Sequence, residues 1–324
     1  MPNPPSPPNP PYLPNPPYLP NPPYLPHPPY LPPLQCPVPR FKLTIEYTGS
    51  RYSGWQIQKN ARTVQGEIDR AVRTVTARKD FELYGSGRTD AGVHALAQVA
   101  HLDVSTNLSP DSLPGRLNDE LPADINILGA EVVPHRFHAR HDAVARRYLY
   151  QVARRRTAFA KAYVWWVKEP IVADRMREAA RLFVGMKDFA SFAASARGPR
   201  GPTGSSRPEP VEGREDSRPQ TSAVSRDRST LVLVDRLDIA EEGDLVLVAI
   251  EGSHFLWKMV RRIVGVLVEI GRGGVEPAAA ATFLAESSAA PARLTAPSSG
   301  LFLERVYYQH DGRMTDLRAA TPLR

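Results

Sequence analysis

"YGSGRTDAGVHALAQVAH", Tyr84 to His101, decides how the rest of the chain is read. Three glycines, Arg88 and Asp90 are packed into Gly85–Gly92. "FELY" (81–84) before them and "VHALAQVAHLDV" (93–104) after them alternate as strands do. A charged pair therefore sits on a glycine-rich turn beside core sequence. Aspartate is common in turns for purely conformational reasons. A carboxylate so placed can also be a nucleophile, a base or a metal ligand. An arginine two residues away can hold it ionised, or can bind phosphate through both arms of its guanidinium. Spacing alone leaves the structural and functional readings of Asp90 both open. Other readings of the turn are weaker. It has no Walker lysine, and a strand follows where a phosphate-cradling loop needs a helix. Gly85-Ser86-Gly87 does not match the Gly-x-Ser-x-Gly nucleophile elbow.

Working outward, strands and helices alternate. "FKLTIEY" (41–47) sets Phe41, Leu43, Ile45 and Tyr47 on one face. Val64, Ile68, Ala71, Val72 and Val75 repeat at helical spacing, with Thr63 as N-cap. Ser109-Pro110 opens a short helix, and Met176, Ala179, Ala180 and Phe183 define another that closes near Gly185. "INILGAEVV" (125–133), "RRYLYQV" (146–152) and "LFLERVYY" (301–308) read as strands. "TLVLVDRLDI" (230–239) and "DLVLVAIEG" (244–252) flank Glu242-Gly243, a hairpin signal. "FLWKMVRRIVGVLVEIG" (255–271) reads as one apolar helix. The fold class is α+β, a mixed α/β order with hairpins that doubly wound folds usually lack.

Two segments stand apart. Residues 1–39 hold twenty of the 34 prolines, repeat "NPPYLP" three times from Asn9, and contain no charged residue. They predict a disordered or polyproline II tail. Such a tail is either a ligand for an aromatic-lined groove or the product of a translated DNA repeat or a misassigned start codon, and the near identity of the repeats favours the latter pair. Residues 196–227, rich in Gly, Pro, Ser and charge, predict a disordered surface insertion. The expected organisation is the tail (1–39), a first half (40–145), a second half (146–310) broken by the insertion, and a C-terminal tail (311–324).

The 324 residues carry 41 Lys plus Arg against 34 Asp plus Glu, a net charge of +7, which permits a polyanionic partner without proving one. Cys36 is the only cysteine, which excludes an intrachain disulfide and a Cys-based zinc site and fits a reducing compartment. No apolar run is long enough for a membrane span, and the N-terminus lacks the features of a signal peptide. A soluble, cytoplasmic protein is expected.

Other residues could carry chemistry. His135, His138 and His141 recur every third residue, but no acidic partner with ligand spacing follows, so polar contact with RNA or plain surface is preferred to a metal site. Tyr148 and Tyr150 follow Arg146 and Arg147. Either the rings are core, or one stacks on a nucleobase while the arginines hold phosphates. Lys258, Arg261 and Arg262 fall at i, i+3 and i+4, one basic stripe that faces either solvent or a phosphate-lined cleft.

At this point the chain resembles the TruA family of tRNA pseudouridine synthases. "GRTDAGVHA" carries the resemblance, supported in order by "YTGSRYSGWQIQ" (47–58), "FHARHDAVARRYLY" (137–150), "DFASF" (188–192), "FLWKMVRRIVG" (255–265) and "APSSGLFLERVYY" (296–308). The resemblance implies two related α/β halves, a mostly antiparallel central sheet and a basic cleft. It implies isomerisation of uridine to pseudouridine at positions 38, 39 and 40 of the tRNA anticodon stem-loop, by a homodimer that needs no cofactor and no metal. Asp90 matches the nucleophile, Arg88 the base-flipping arginine, Tyr148 the residue that packs on the target base, and Leu301 the opposite pocket wall. Phe137, His138, Ala139 and Arg140, with Lys258 and Arg261, match RNA-contacting positions. His141 departs from the aromatic often found at its place. The proline tail has no counterpart in the family, and the insertion falls where relatives carry a short loop that reaches the tRNA.

Overall fold

Alternation in "RFKLTIEY" makes β1 (Arg40–Tyr47), whose Phe41, Leu43, Ile45 and Tyr47 are all buried on one face. The computed structural model describes residues 38–194 and 229–323. Residues 1–37 of the proline-rich tail and the 196–227 insertion lie outside the described residues. After β1 come α1 (Val64–Thr76), β2 (Glu82–Gly85), β3 (His94–Asp103), α2 (Leu113–Asn118) and β4 (Ile125–Val133). Thr63 caps α1 by accepting from the Gly66 amide at 3.2 Å, as its position predicts. The second half comprises β5 (Ala145–Ala153), β6 (Trp165–Trp166), α3 (Ala173–Phe183), β7 (Gly185–Asp188), β8 (Leu231–Glu242), β9 (Leu245–Gly252), α4 (Met259–Gly271), α5 (Ala279–Ala285), α6 (Ala290–Arg293) and β10 (Leu301–Tyr307).

The ten strands of the described residues join one sheet in the order β4-β1-β3-β10-β5-β9-β8-β7, with β2 on β3 and β6 on β5. Pairing is antiparallel except between β3 and β10 and between β5 and β6. The β3–β10 contact is the seam between the halves. Along β3, β2 holds Ala100–Asp103 and β10 holds His94 and Ala95. The turn of residues 86–93 leaves the sheet where one neighbour gives way to the other. Helices α1 and α2 pack with β1 and β3 around Leu43, Ile45, Ile68 and Leu102. Helices α3 and α4 cover the second half around Phe183, Val248, Ile263 and Leu267. The opposite face there buries Leu149, Leu247 and Phe302 under the C-terminal residues Leu317 and Leu323.

Two helices begin later than the sequence predicts. Ser109 accepts from the Ser112 amide through Oγ (3.2 Å) and from the Leu113 amide through its carbonyl (3.0 Å), so a turn precedes α2. The proline in its first turn is Pro114, where a missing N–H costs nothing. Helix α4 begins at Met259 because Lys258 is left-handed, with φ +62°. Lys258 therefore does not lie on the helix, and the expected basic stripe is broken at its start.

Candidate active site

The turn that carries Asp90 is held from the strands on either side. Gln98 on β3 is fully buried; its Oε1 accepts from Ser86 Oγ at 2.6 Å and its Nε2 donates to the Gly87 carbonyl at 3.2 Å. The Ser86 amide donates to the Val99 carbonyl at 2.7 Å. Tyr47 on β1 shares a 2.8 Å hydrogen bond with Thr89 Oγ1, and the Val93 amide closes the turn onto the Asp90 carbonyl at 3.1 Å. Two of the glycines have distinct duties. A Cβ at Gly85 would meet the Trp55 ring at 2.6 Å, so this glycine makes room for an indole of the core. Gly92 has φ +78°, which only glycine adopts without strain.

Asp90 faces a cleft of about 800 Å³. Arg88, Arg140, Arg146, Lys258 and Arg261 line it, together with Tyr148, Phe255, Trp257, Leu301 and Leu303. Asp90 is the only carboxylate among the described lining residues. Its Oδ1 accepts from the Trp257 indole N–H at 3.0 Å, and Arg261 Nη1 stands 3.9 Å from its Oδ2. Burial raises its pKa above the ordinary carboxylate value, while Arg261, the indole and Lys258 oppose that rise. Arg88, whose spacing leaves open both pairing with Asp90 and binding phosphate, is exposed and makes no hydrogen bond or ion pair with the described residues. The charge that balances Asp90 comes instead from α4, across the cleft.

Tyr148 is half-buried on the cleft wall, edge-on to Phe255 at 5.2 Å, and burial pushes its hydroxyl up to about 12. It pairs with Leu303 in the β5–β10 ladder, next to Leu301, so ring and leucines form one wall. Tyr150 is core and donates to the Pro297 carbonyl at 2.8 Å.

The two arginines before Tyr148 do not both face phosphate. Arg147 is 1% exposed; it pairs with Glu304 at 2.6 Å and donates to the Met314 and Asp316 carbonyls. Arg146 lines the cleft, but its guanidinium donates to the carbonyls of Ala143, Ser253, Ser86 and Arg140, clamping three loops. Arg262 is turned away to the Ser191 and Ala193 carbonyls, whereas Arg261 braces its Nε on the Ala296 carbonyl at 2.7 Å. In the histidine segment, Arg140 reaches the cleft. Ala139 is buried, with its amide donating to His101 Nδ1, and Phe137 packs on Tyr308 at 5.1 Å. His138 lies edge-on to Tyr84 at 4.9 Å, and its Nδ1 accepts from the amides of Arg140 and His141.

Trp257 and Gln98 escaped the sequence reading. Gln98 has a signal, as a polar residue amid the apolar run Ala95–Ala100 of β3. Trp257 had none beyond standing next to Lys258.

The site holds one carboxylate among five cations, walled by aromatic and aliphatic side chains. Such a lining suits an anionic ligand that carries a planar, partly apolar group. Comparison with known proteins agrees. The family described as tRNA pseudouridine synthase matches residues 43–142 and 210–309, once in each half. The tRNA pseudouridine synthase A of Rhodopseudomonas palustris (strain BisA53) is 36% identical over 275 residues, covering 84% of this chain and all of that protein. Its namesake in Nitrobacter hamburgensis is 36% identical over 274 residues, with the same coverage. The one in Geobacillus kaustophilus is 36% identical over 84% of this chain and 95% of its own. The chain belongs to the tRNA pseudouridine synthase family, and is an isomerase with two related halves.

Proposed function

We propose that this chain converts uridine to pseudouridine at positions 38, 39 and 40 of the tRNA anticodon stem-loop, with Asp90 as nucleophile. The carrying observation is the isolation of Asp90: a single carboxylate, on a turn pinned by β1 and β3, facing cations and an aromatic wall. A base must leave the helical stack before its glycosidic bond can be reached, at a cost of a few kcal/mol. Arg88, exposed and unpaired among the described residues, is free to fill the vacated space or grip the flanking phosphate. The flipped uracil lies between Tyr148 and Leu301. Asp90 attacks C6 of the base or C1′ of the ribose; the base detaches, turns and rejoins through C5, and the bond to Asp90 breaks to return the free carboxylate. Loss of the C5 proton to a general base completes a redox-neutral isomerisation.

Arg140, Lys258 and Arg261 supply positive charge along the cleft, with the rest of the 137–140 segment behind Arg140. A homodimer that grips one tRNA with both subunits, in the cytoplasm, completes the reading. Among the described residues no helix is long and apolar enough to cross a membrane.

The test is release of tritium from tRNA transcript carrying C5-tritiated uridine. Release by the wild type but not by Asp90→Asn is expected. Equal release from both would remove Asp90 as nucleophile. Tight tRNA binding without release by the wild type would favour a non-catalytic RNA-binding protein.

A further inference from the structure

Among the described residues one neutral side chain donates to Asp90, and it comes from 167 positions further along the chain. The Trp257 indole is half exposed in the cleft, with its N–H 3.0 Å from Asp90 Oδ1. Its backbone is tied down: the Ala194 amide donates to the Trp257 carbonyl at 2.9 Å, and Arg262 holds the Ala193 carbonyl at 2.6 Å. The next residue, Lys258, takes the left-handed conformation at φ +62°, unfavourable for a residue with a Cβ. Backbone strain of this kind persists where the surroundings over-determine it, and it is often found beside working groups. Here it ends the β9–α4 loop with the indole over Asp90 and the Lys258 ammonium 4.9 Å from the ring centre.

We infer that Trp257 is a positioning residue for the nucleophile: its indole N–H fixes Asp90 Oδ1 and leaves Oδ2, on the Arg261 side, as the attacking oxygen. The inference rests on the reading of Asp90 as nucleophile. Attack makes one bond from Oδ2 to carbon, and the displaced electron pair passes to the uracil ring on either route. Oδ1 becomes the carbonyl oxygen of the resulting ester or acyl adduct and still accepts from the indole, so the contact survives the step. Indole N–H is a donor that does not ionise in the working pH range, so it holds the carboxylate without protonating it. Arg261 cannot do this alone, since at 3.9 Å it is a neighbouring charge and not a hydrogen-bond donor.

Trp257→Phe keeps an aromatic ring and removes the donor. In the tritium assay kcat/KM should fall by about 10- to 100-fold near neutrality, the worth of a hydrogen bond to a charged group. The acid limb of its pH profile should move to higher pH, because the lost donor favoured the ionised carboxylate. The Kd for tRNA, read by filter binding, should stay within twofold. Independently of turnover, the indole 15N–1H resonance that Trp257→Phe deletes should titrate in the wild type and stop titrating in Asp90→Asn. A wild-type rate and acid limb in Trp257→Phe would overturn the inference, as would a resonance that ignores Asp90. An inactive wild type whose indole still reports Asp90 would sink the nucleophile reading and leave the contact standing.

Discussion

Replacing Gln98 by leucine asks whether β3, and not the glycine turn itself, keeps Asp90 in place. The side chain is fully buried, accepts from Ser86 Oγ (2.6 Å) and the Val99 amide (3.1 Å), donates to the Gly87 carbonyl (3.2 Å), and also bonds the Tyr47 hydroxyl. Leucine has similar bulk and none of these bonds. Each lost bond is worth about 1 kcal/mol net, and a buried group left without a partner costs about 1–3 kcal/mol. Ser86 is 2% exposed and stays stranded, whereas Gly87 is half exposed and can turn to water. The expected loss is about 2–4 kcal/mol, read from equilibrium urea unfolding. Ser86→Ala alone should cost about 1 kcal/mol, and the double variant should fall short of the sum by roughly 0.5–1 kcal/mol, because both changes remove the same bond. Activity should fall further than stability explains. With the turn loosened, kcat drops by up to about 100-fold while KM changes little, as for a nucleophile displaced by an ångström. An unchanged urea midpoint, or strict additivity with Ser86→Ala, would refute the claim that this network holds the turn.

Two further changes test the frame around the site. Glu304→Gln leaves the Arg147 guanidinium buried without its counter-charge and should cost about 3–5 kcal/mol. At roughly 2 cal/mol/K per residue over about 250 described residues, Tm falls by about 6–9 °C in a thermal melt. An unchanged Tm would mean the pair contributes nothing. Ala77 closes α1 in the left-handed conformation at φ 53° and is exposed, so Ala77→Gly relieves a Cβ clash at no packing cost. It should raise stability by up to about 1 kcal/mol, and a lower Tm would show that the cap is not strained.

The sequence marks the fold well where a strand has one wet face or a helix one apolar stripe. β1, β4, β9 and β10 fall within a residue or so of the predicted bounds, whereas β8 runs three residues past its predicted end and takes in Glu242 of the expected turn. It is silent where elements are too short to show a period. β6 is two residues and β7 four, and each exists only because a longer neighbour offers an unpaired edge. α5 and α6, alanine-rich and four to seven residues long, are likewise held by contacts with their surroundings and not by any stripe of their own. The late start of α4 has a different cause. Nothing in "FLWKMVRRIVG" forbids a helix from Phe255, but the left-handed backbone of Lys258 stops the helix from starting before Met259.

The site shows which kinds of inference sequence supports. Adjacency does not decide charge pairing: Arg88 and Asp90 are two residues apart, yet the turn sends them separate ways, and Asp90 is balanced from Arg261 on α4. That partnership depends on the parallel β3–β10 seam, which no local pattern encodes. Strand alternation, by contrast, already contained the answer for Arg146 and Arg147. Side chains at i and i+2 share a face, so Arg146 must lie with Tyr148, and Arg147 must point with Leu149 into the opposite core. A charged residue on that buried face needs a counter-ion from the neighbouring strand, and Glu304 on β10 supplies it. The paired arginines thus divide the work by parity: Arg147 fastens β5 to β10 and the C-terminal segment, while Arg146 gathers the Ser86, Arg140 and Ser253 carbonyls around the cleft. Of the cations that line the cleft, Arg88, Arg140 and Lys258 donate no side-chain hydrogen bond to a carbonyl of the described residues, so the proposed phosphate contacts are best sought there. Exposure at the mouth of the cleft, more than arginine content, marks the residues free to meet RNA.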